Sequence, residues 1–235
     1  MTVQHQSHQD HIDSGLGFEW DTLPEWLTSV DRCNEKDDLL RLRRERKSHK
    51  GVKHLKQLKR LWAYAVDQDF LDEICELENL ELLSIDRVTA KDFSALGKLK
   101  NLKTLIVESA SSIEHIEWVI GLDNLIGLGL ENCKNLHDLQ PLSHCTKLKS
   151  LGVEGGMWAP MKVKSLQPLS SLINLSYLFL TNLKVADGSL QPLANLKKLK
   201  TIQCADFFAK NEFATLSLAL PGVRCQWFPT NANEF

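Results

Sequence analysis

The apolar positions of this chain recur in one frame, clearest at Leu99, Leu102, Leu105 and Val107: two steps of three residues, then one of two. Before it the frame reads Leu55, Leu58, Leu61, Ala63 and Leu77, Leu80, Leu83, Ile85. After it come Leu122, Leu125, Leu128, Leu130, then Cys145, Leu148, Leu151, Val153, then Leu172, Leu175, Leu178, Leu180, and finally Leu196, Leu199, Ile202, Cys204. Successive copies begin 22, 22, 23, 23, 27 and 24 residues apart. A helical stripe needs steps of three and four that average 3.6, whereas each copy here closes on a step of two, the alternation of a strand. Each copy therefore predicts one short strand and one return segment. Such a unit cannot bury its apolar side alone, so the copies must stack.

Leu40 and Leu42 place an opening strand near 40–42, 21 residues before Leu61 and Ala63. Further strands are expected near 61–64, 83–86, 105–108, 128–131, 151–154, 178–181 and 202–205. The spacers Phe93-Ser-Ala-Leu96, Leu139-Gln-Pro-Leu142, Leu166-Gln-Pro-Leu169 and Leu190-Gln-Pro-Leu193 have room for one or two turns of helix or 3-10 structure. Residues 1–15 are polar and read as a disordered tail. Their His5, His8 and His11, three apart, would suit a transition metal only if the segment became helical inside a packed shell, and no metal is expected. Residues 16–39 read as an N-terminal cap in which Pro24, after Asp21-Thr22, starts a helix with Trp26, Leu27 and Val30 on one face. Residues 40–208 are the repeats. Residues 209–235 form a C-terminal cap: a helix over 209–220 with Asn211 as N-cap and Pro221-Gly222 as stop, then a strand through Val223, Cys225 and Trp227.

These copies, above all Leu166-Gln-Pro-Leu169 leading into Leu172, Leu175, Leu178 and Leu180, resemble the short bacterial, internalin-type leucine-rich repeat of about 22 residues. The resemblance implies an α/β solenoid, a leucine-rich repeat horseshoe with a parallel concave sheet and short helical or 3-10 convex spacers, capped at both ends. The chain departs from the pattern at the ladder positions Val88, Ala110 and Leu183, where Asn is usual, and in its long sixth spacer. For function the resemblance implies a protein-binding module. It is similar to the small cytosolic members, some of which are immunity proteins that neutralise a cognate bacterial toxin.

Composition agrees with an ordinary globular chain: 235 residues, 43% apolar and 25% charged, with net charge −2. No bulk field selects nucleic acid or an anionic membrane. No apolar run approaches the roughly 18 residues of a spanning helix, and the start lacks a secretion-signal pattern, so a cytoplasmic location is expected. The six cysteines fit a reducing compartment, with Cys145 and Cys204 on leucine positions of the frame. Charge is uneven along the chain: net −7 over residues 1–40, then +9 over 41–60. That basic block, Arg41 to Arg60, is either a phosphate-binding patch, which makes nucleic acid an alternative partner, or a solvated first repeat paired with the acidic cap. No aromatic is interleaved with it in sequence.

Because the strand leucines point inward, function must be read from the residues between and beside them. The position after each closing pair holds Tyr64, Asp86, Glu108, Glu131, Glu154, Thr181 and Ala205. Four carboxylates thus share one column on strands about 4.8 Å apart, repelling each other by on the order of 1 kcal/mol per pair in water. A basic protein partner would relieve that repulsion. Beside the column, Trp62, Tyr64, Tyr177 and Phe179 are expected as exposed aromatics around a bare floor of Gly127, Gly129 and Gly152. Trp158, in the long spacer, either leans over that edge or folds back on Leu166. No nucleotide-binding Gly loop, nucleophile elbow or helical His-x-x-x-His occurs, and Glu131 and His137 form no acid–base pair, so neither an enzyme nor a cofactor is expected. The expectation is a module, monomeric when free, that binds a basic protein, plausibly a toxin, or acts as a general scaffold.

Overall fold

The computed structural model of the protein describes residues 3–34 and 36–229, with side chains from Gln6 onward. Each copy of the leucine frame delivers one strand: β1 (Leu39–Arg43), β2 (Arg60–Tyr64), β3 (Leu82–Asp86), β4 (Thr104–Glu108), β5 (Gly127–Glu131), β6 (Ser150–Glu154), β8 (Tyr177–Leu180) and β10 (Thr201–Cys204). These eight pair in parallel, in chain order. The long sixth spacer contributes β7 (Met161–Val163), which pairs with β9 (Leu183–Val185) in a separate two-stranded sheet.

The register aligns Leu61, Leu83, Leu105, Leu128, Leu151, Leu178 and Ile202 in one inward row, each at most 2% exposed. Short 3-10 turns form most of the return path, at Val52–His54, Ser94–Lys98, Glu117–Gly121, Gln140–His144, Gln167–Ser171 and Gln191–Leu193. Pro141, Pro168 and Pro192 stand in first turns, where the missing N–H leaves no bond unmade. A regular helix, α2 (Gln68–Ile74), fits only in the second return segment, where the Asp67 side chain accepts from the Phe70 N–H.

Two backbone devices hold successive coils together. Ahead of the strands, the side-chain amides of Asn79, Asn101, Asn124 and Asn174 donate to the carbonyls of Lys56, Glu78, Lys100 and Thr146 at 2.8–2.9 Å. After the strands, Ala65, Arg87, Ser109, Asn132 and Asn182 take φ between 49° and 61°, turning the chain off the sheet. The N–H groups of Ala65, Ser109 and Asn132 are held there by the carbonyls of Asp86, Glu131 and Glu154. Val88 and Ala110 are buried at the expected ladder sites, and the asparagine ladder runs through the return segments instead.

The ends differ from the sequence reading. Within the segment expected as a disordered tail, of which residues 1–2 lie outside the described residues, Val3–Ser14 form a helix, α1. It stops at Gly15 (φ 76°), and the N–H groups of Leu16 and Gly17 fold back onto the His11 carbonyl. No helix begins at Pro24. Leu27 instead makes a parallel bridge to Leu42 with N–H and carbonyl bonds to Arg41 and Arg43, covering the open edge of β1. That edge offers a row of backbone groups, a gain that a one-turn helix does not match.

At the other end α3 (Lys210–Ala219) forms, but its N-cap is Ala209 without a side-chain bond. Asn211 lies inside the helix, and Glu212 turns to accept from Leu190 N–H at 2.7 Å. The last strand shrinks to one bridge, Thr201 to Arg224, with the Trp227 indole donating to the Cys204 carbonyl. Residues 230–235 of the expected cap lie outside the described residues. All six cysteines are free thiols.

Candidate functional site: the concave face

The acidic column is real. Glu108 stands opposite Glu131, and Glu131 opposite Glu154, on β4, β5 and β6, while Asp86 pairs with Tyr64 at the neighbouring strands. Among the described residues no Lys or Arg comes within ion-pair distance of these four. Burial, with the charges of Glu131, Asp86 and Glu154, pushes the Glu108 carboxyl up to about 7. Glu131 is raised by the same crowding. Glu154 alone has a basic neighbour, the imidazole of His11 at 3.6 Å, and it also accepts from the Thr181 hydroxyl.

That imidazole belongs to the N-terminal segment, which lies across the concave face from its last strand to its first. Ser7 Oγ donates to Gln203 Oε1 (2.8 Å) on β10. Asp10, almost fully buried, accepts from Arg224 at 2.5 Å and from Gln203 at 3.3 Å. The His11 ring stacks on Phe179 of β8 at 3.8 Å, and the Ser14 carbonyl accepts from Ser150 Oγ of β6 at 2.6 Å. Leu16 rests on the glycine floor: a Cβ at Gly127 or Gly152 would stand 3.4 or 3.7 Å from its methyl groups. Phe18 meets Trp62 of β2 edge-on at 4.9 Å. The bare floor is therefore filled by the chain's own leucine.

His11 sits between Glu154 and the Ser7 carbonyl, 3.1 Å from Nδ1. Burial works against its proton, but Glu154, Ser7 and Asp10 outweigh it, holding the imidazole above its usual value. His8 points to solvent, and the described residues contain no metal-ligand cluster. Between this segment and the carboxylates remains a cavity of about 160 Å³, lined by His11, Leu16, Glu108, Glu131, Glu154 and Thr181.

The aromatic frame needs correction. Trp62 (4% exposed) and Phe179 (0%) are buried beneath Phe18 and His11, whereas Tyr64 and Tyr177 are half-buried. The Trp62 indole N–H has no partner among the described residues. Trp158, 92% exposed, does not fold back on Leu166, which other side chains cover completely.

The basic block is largely engaged, and mostly with the next coil instead of the acidic cap. Arg44 pairs with Asp67, Lys50 with Asp69 and Glu73, and Lys53 with Glu76, while Arg60 alone reaches back to Asp38. Aromatics absent from the block in sequence are interleaved in space: Arg41 lies 4.4 Å over Trp26, and Arg43 and Arg87 flank Tyr64 at 4.8 and 5.2 Å. Nothing in the residue spacing pointed to this, because Trp26 and Tyr64 come from either side of the block.

No protein-family model matches the sequence, and no curated protein matches it significantly. Solved structures do. Internalin C2 of Listeria monocytogenes aligns over 74% of this chain and 74% of its own, at 25% identity and a TM-score of 0.56. A leucine-rich repeat protein of Leptospira interrogans aligns over 86% of this chain and 52% of its own, at 18% identity and 0.64. A plant peptide hormone receptor in complex with RGF2 aligns over 86% and 37%, at 14% and 0.58. With the leucine frame, the parallel sheet and these neighbours together, the architecture is that of a leucine-rich repeat solenoid.

Proposed function

We propose that this protein is a non-catalytic binding module that takes a basic protein partner on its concave face, acting as an inhibitor of immunity-protein type toward a bacterial toxin. The observation that carries the reading is the column Glu108, Glu131 and Glu154, aligned on three consecutive strands with Asp86 at the end of the strand before them, and matched by no Lys or Arg among the described residues. A fold gains nothing from such repulsion, and a cationic guest removes it. The receptor–peptide complex among its structural neighbours supports protein binding by this architecture in general. Tyr64, Tyr177 and the projecting Trp158 are the aromatic contacts available without rearrangement.

The test is kinetic. With a partner recovered by affinity purification and identified by mass spectrometry, the triple variant Glu108→Lys, Glu131→Lys, Glu154→Lys should slow association by about tenfold or more at low salt. An unchanged association rate would overturn the reading. The nucleic-acid alternative draws support from Trp26 and Tyr64 among the arginines. It fails if filter binding shows no salt-dependent retention of RNA or DNA.

A further inference from the structure

The concave wall proposed to receive a partner already has an occupant, and the quality of that occupancy differs from the rest of the molecule. Between Ser7 and Ser14 the helix is anchored mainly by polar contacts: Ser7 to Gln203, Asp10 to Arg224, His11 to Glu154, the Ser14 carbonyl to Ser150. Only Leu16 on its glycine floor, the His11 ring on Phe179 and Phe18 on Trp62 add apolar contact. Exchanging such bonds for bonds to water changes the free energy little, whereas inward leucines have no such alternative.

The fit is also incomplete. The Trp62 indole N–H is left without a partner beneath Phe18. The 160 Å³ cavity remains beside Glu108, Glu131 and Glu154. A larger one of about 540 Å³ opens beside the Ser7 and Asp10 bonds, lined by Gln6, Ser7 and Asp10 on one side and Thr201, Ile202 and Arg224 on the other. Docking α1 also leaves carboxylates crowded at its edge, with one imidazole as the only countercharge among the described residues. Beyond Phe18 the anchoring changes character: Leu27 is bonded into the sheet edge through its backbone.

We infer that residues 6–18 are a releasable cover over the concave face, an autoinhibitory contact hinged between Phe18 and Leu27 that a partner of that face must displace. The inference rests on the concave face being the binding face. The segment imitates its competitor: it sets a basic ring against Glu154 and an aliphatic side chain on Gly127 and Gly152. The displacing guest is accordingly a segment with a Lys or Arg that reaches Glu154, Glu131 and Glu108, and one aliphatic anchor for the glycine floor. Because the cover is tethered, it competes at a high effective concentration, so weak cationic segments are rejected.

The experiment is hydrogen–deuterium exchange on the full chain, as wild type and as the variants His11→Ala and Leu16→Asp, with urea unfolding as the control for folding. Amides of residues 8–17 should exchange about tenfold or more faster than those of β4, β5 and β6, by local opening. Both variants should accelerate this segment far more than the strands, with urea midpoints lowered only slightly. Decalysine, as a cationic probe, should bind Leu16→Asp more tightly than wild type by about tenfold. If residues 8–17 exchange at the rate of the strands, only through global unfolding, the segment is a fixed wall and the inference is overturned. If the segment opens but decalysine binds neither protein, the cover stands and the basic-partner reading fails.

Discussion

The sheet has two faces, and they are closed by different physics. Inside, leucines from eight coils interlock in one continuous core, with Leu61, Leu83, Leu105, Leu128 and Leu178 inaccessible to water. Outside, the concave face is closed by a helix whose contact residues, Ser7, Asp10, His11 and Ser14, fall at i, i+3, i+4 and i+7. That is the spacing of an amphipathic helix with the polarity inverted, since a polar stripe faces the protein. The first closure is driven by removing apolar surface from water and survives most conditions. The second depends on matched charges and hydrogen bonds, each worth little net of its hydration.

The sharpest way to expose this difference is to weaken the inner face. Leu105→Ala, in the middle of the stack, should lower the unfolding free energy by about 2–5 kcal/mol in urea titration. An effect no larger than that of His11→Ala or Leu16→Asp would mean that the two faces are not distinct. A smaller loss, about 1 kcal/mol, is expected for Asn101→Ala, which removes the 2.9 Å bond to the Glu78 carbonyl and tests the link between coils.

The remaining effect concerns the outer face and depends on pH. Glu108 titrates at about 7 in the folded chain, above its ordinary 4.5, so between those values the folded state holds more protons than the unfolded state. Stability from this group is complete below about pH 4.5 and is lost as pH rises through 7. His11, also raised, acts in the same direction: its contribution is complete below 6.5 and fades as pH rises through its folded value. Glu108→Gln should therefore flatten the fall in midpoint temperature from pH 4.5 to 7. An unchanged slope would remove Glu108 from this account.

The inner face was legible in the residues. The step of two after two steps of three placed all eight strands of the main sheet to within a residue or so, and the aligned carboxylates followed from that register. The asparagines of the ladder recur in the same frame, just before the second leucine of four copies, as in Asn79-Leu80 and Asn101-Leu102. Their role follows only once the coils are stacked. The helix α1 was not legible, because a search for apolar periodicity passes over Ser7, Asp10, His11 and Ser14 and reads a polar tail. One clue was there: Gly15-Leu16-Gly17 is a helix stop, and a stop implies a helix before it. The buried states of Trp62 and Phe179 were missed for the same reason, since Phe179 lies under that helix and Trp62 under Phe18 just beyond it. The helix expected from Pro24 gave way to the bridge at Leu27 because local helix signals carry no information about a vacant sheet edge.

The paired strands β7 and β9 have an effect on the tip they support. Between Gly156 and Met161 the chain projects Met157 and Trp158 into water, 84% and 92% exposed, yet both ends of that tip are fastened. Met161–Val163 is laced to Leu183–Val185, and the Asn182 amide holds the Gly156 carbonyl. An indole carried on such a bracket loses less motional freedom on capture than one on a slack loop, so more of its contact energy is left for adhesion.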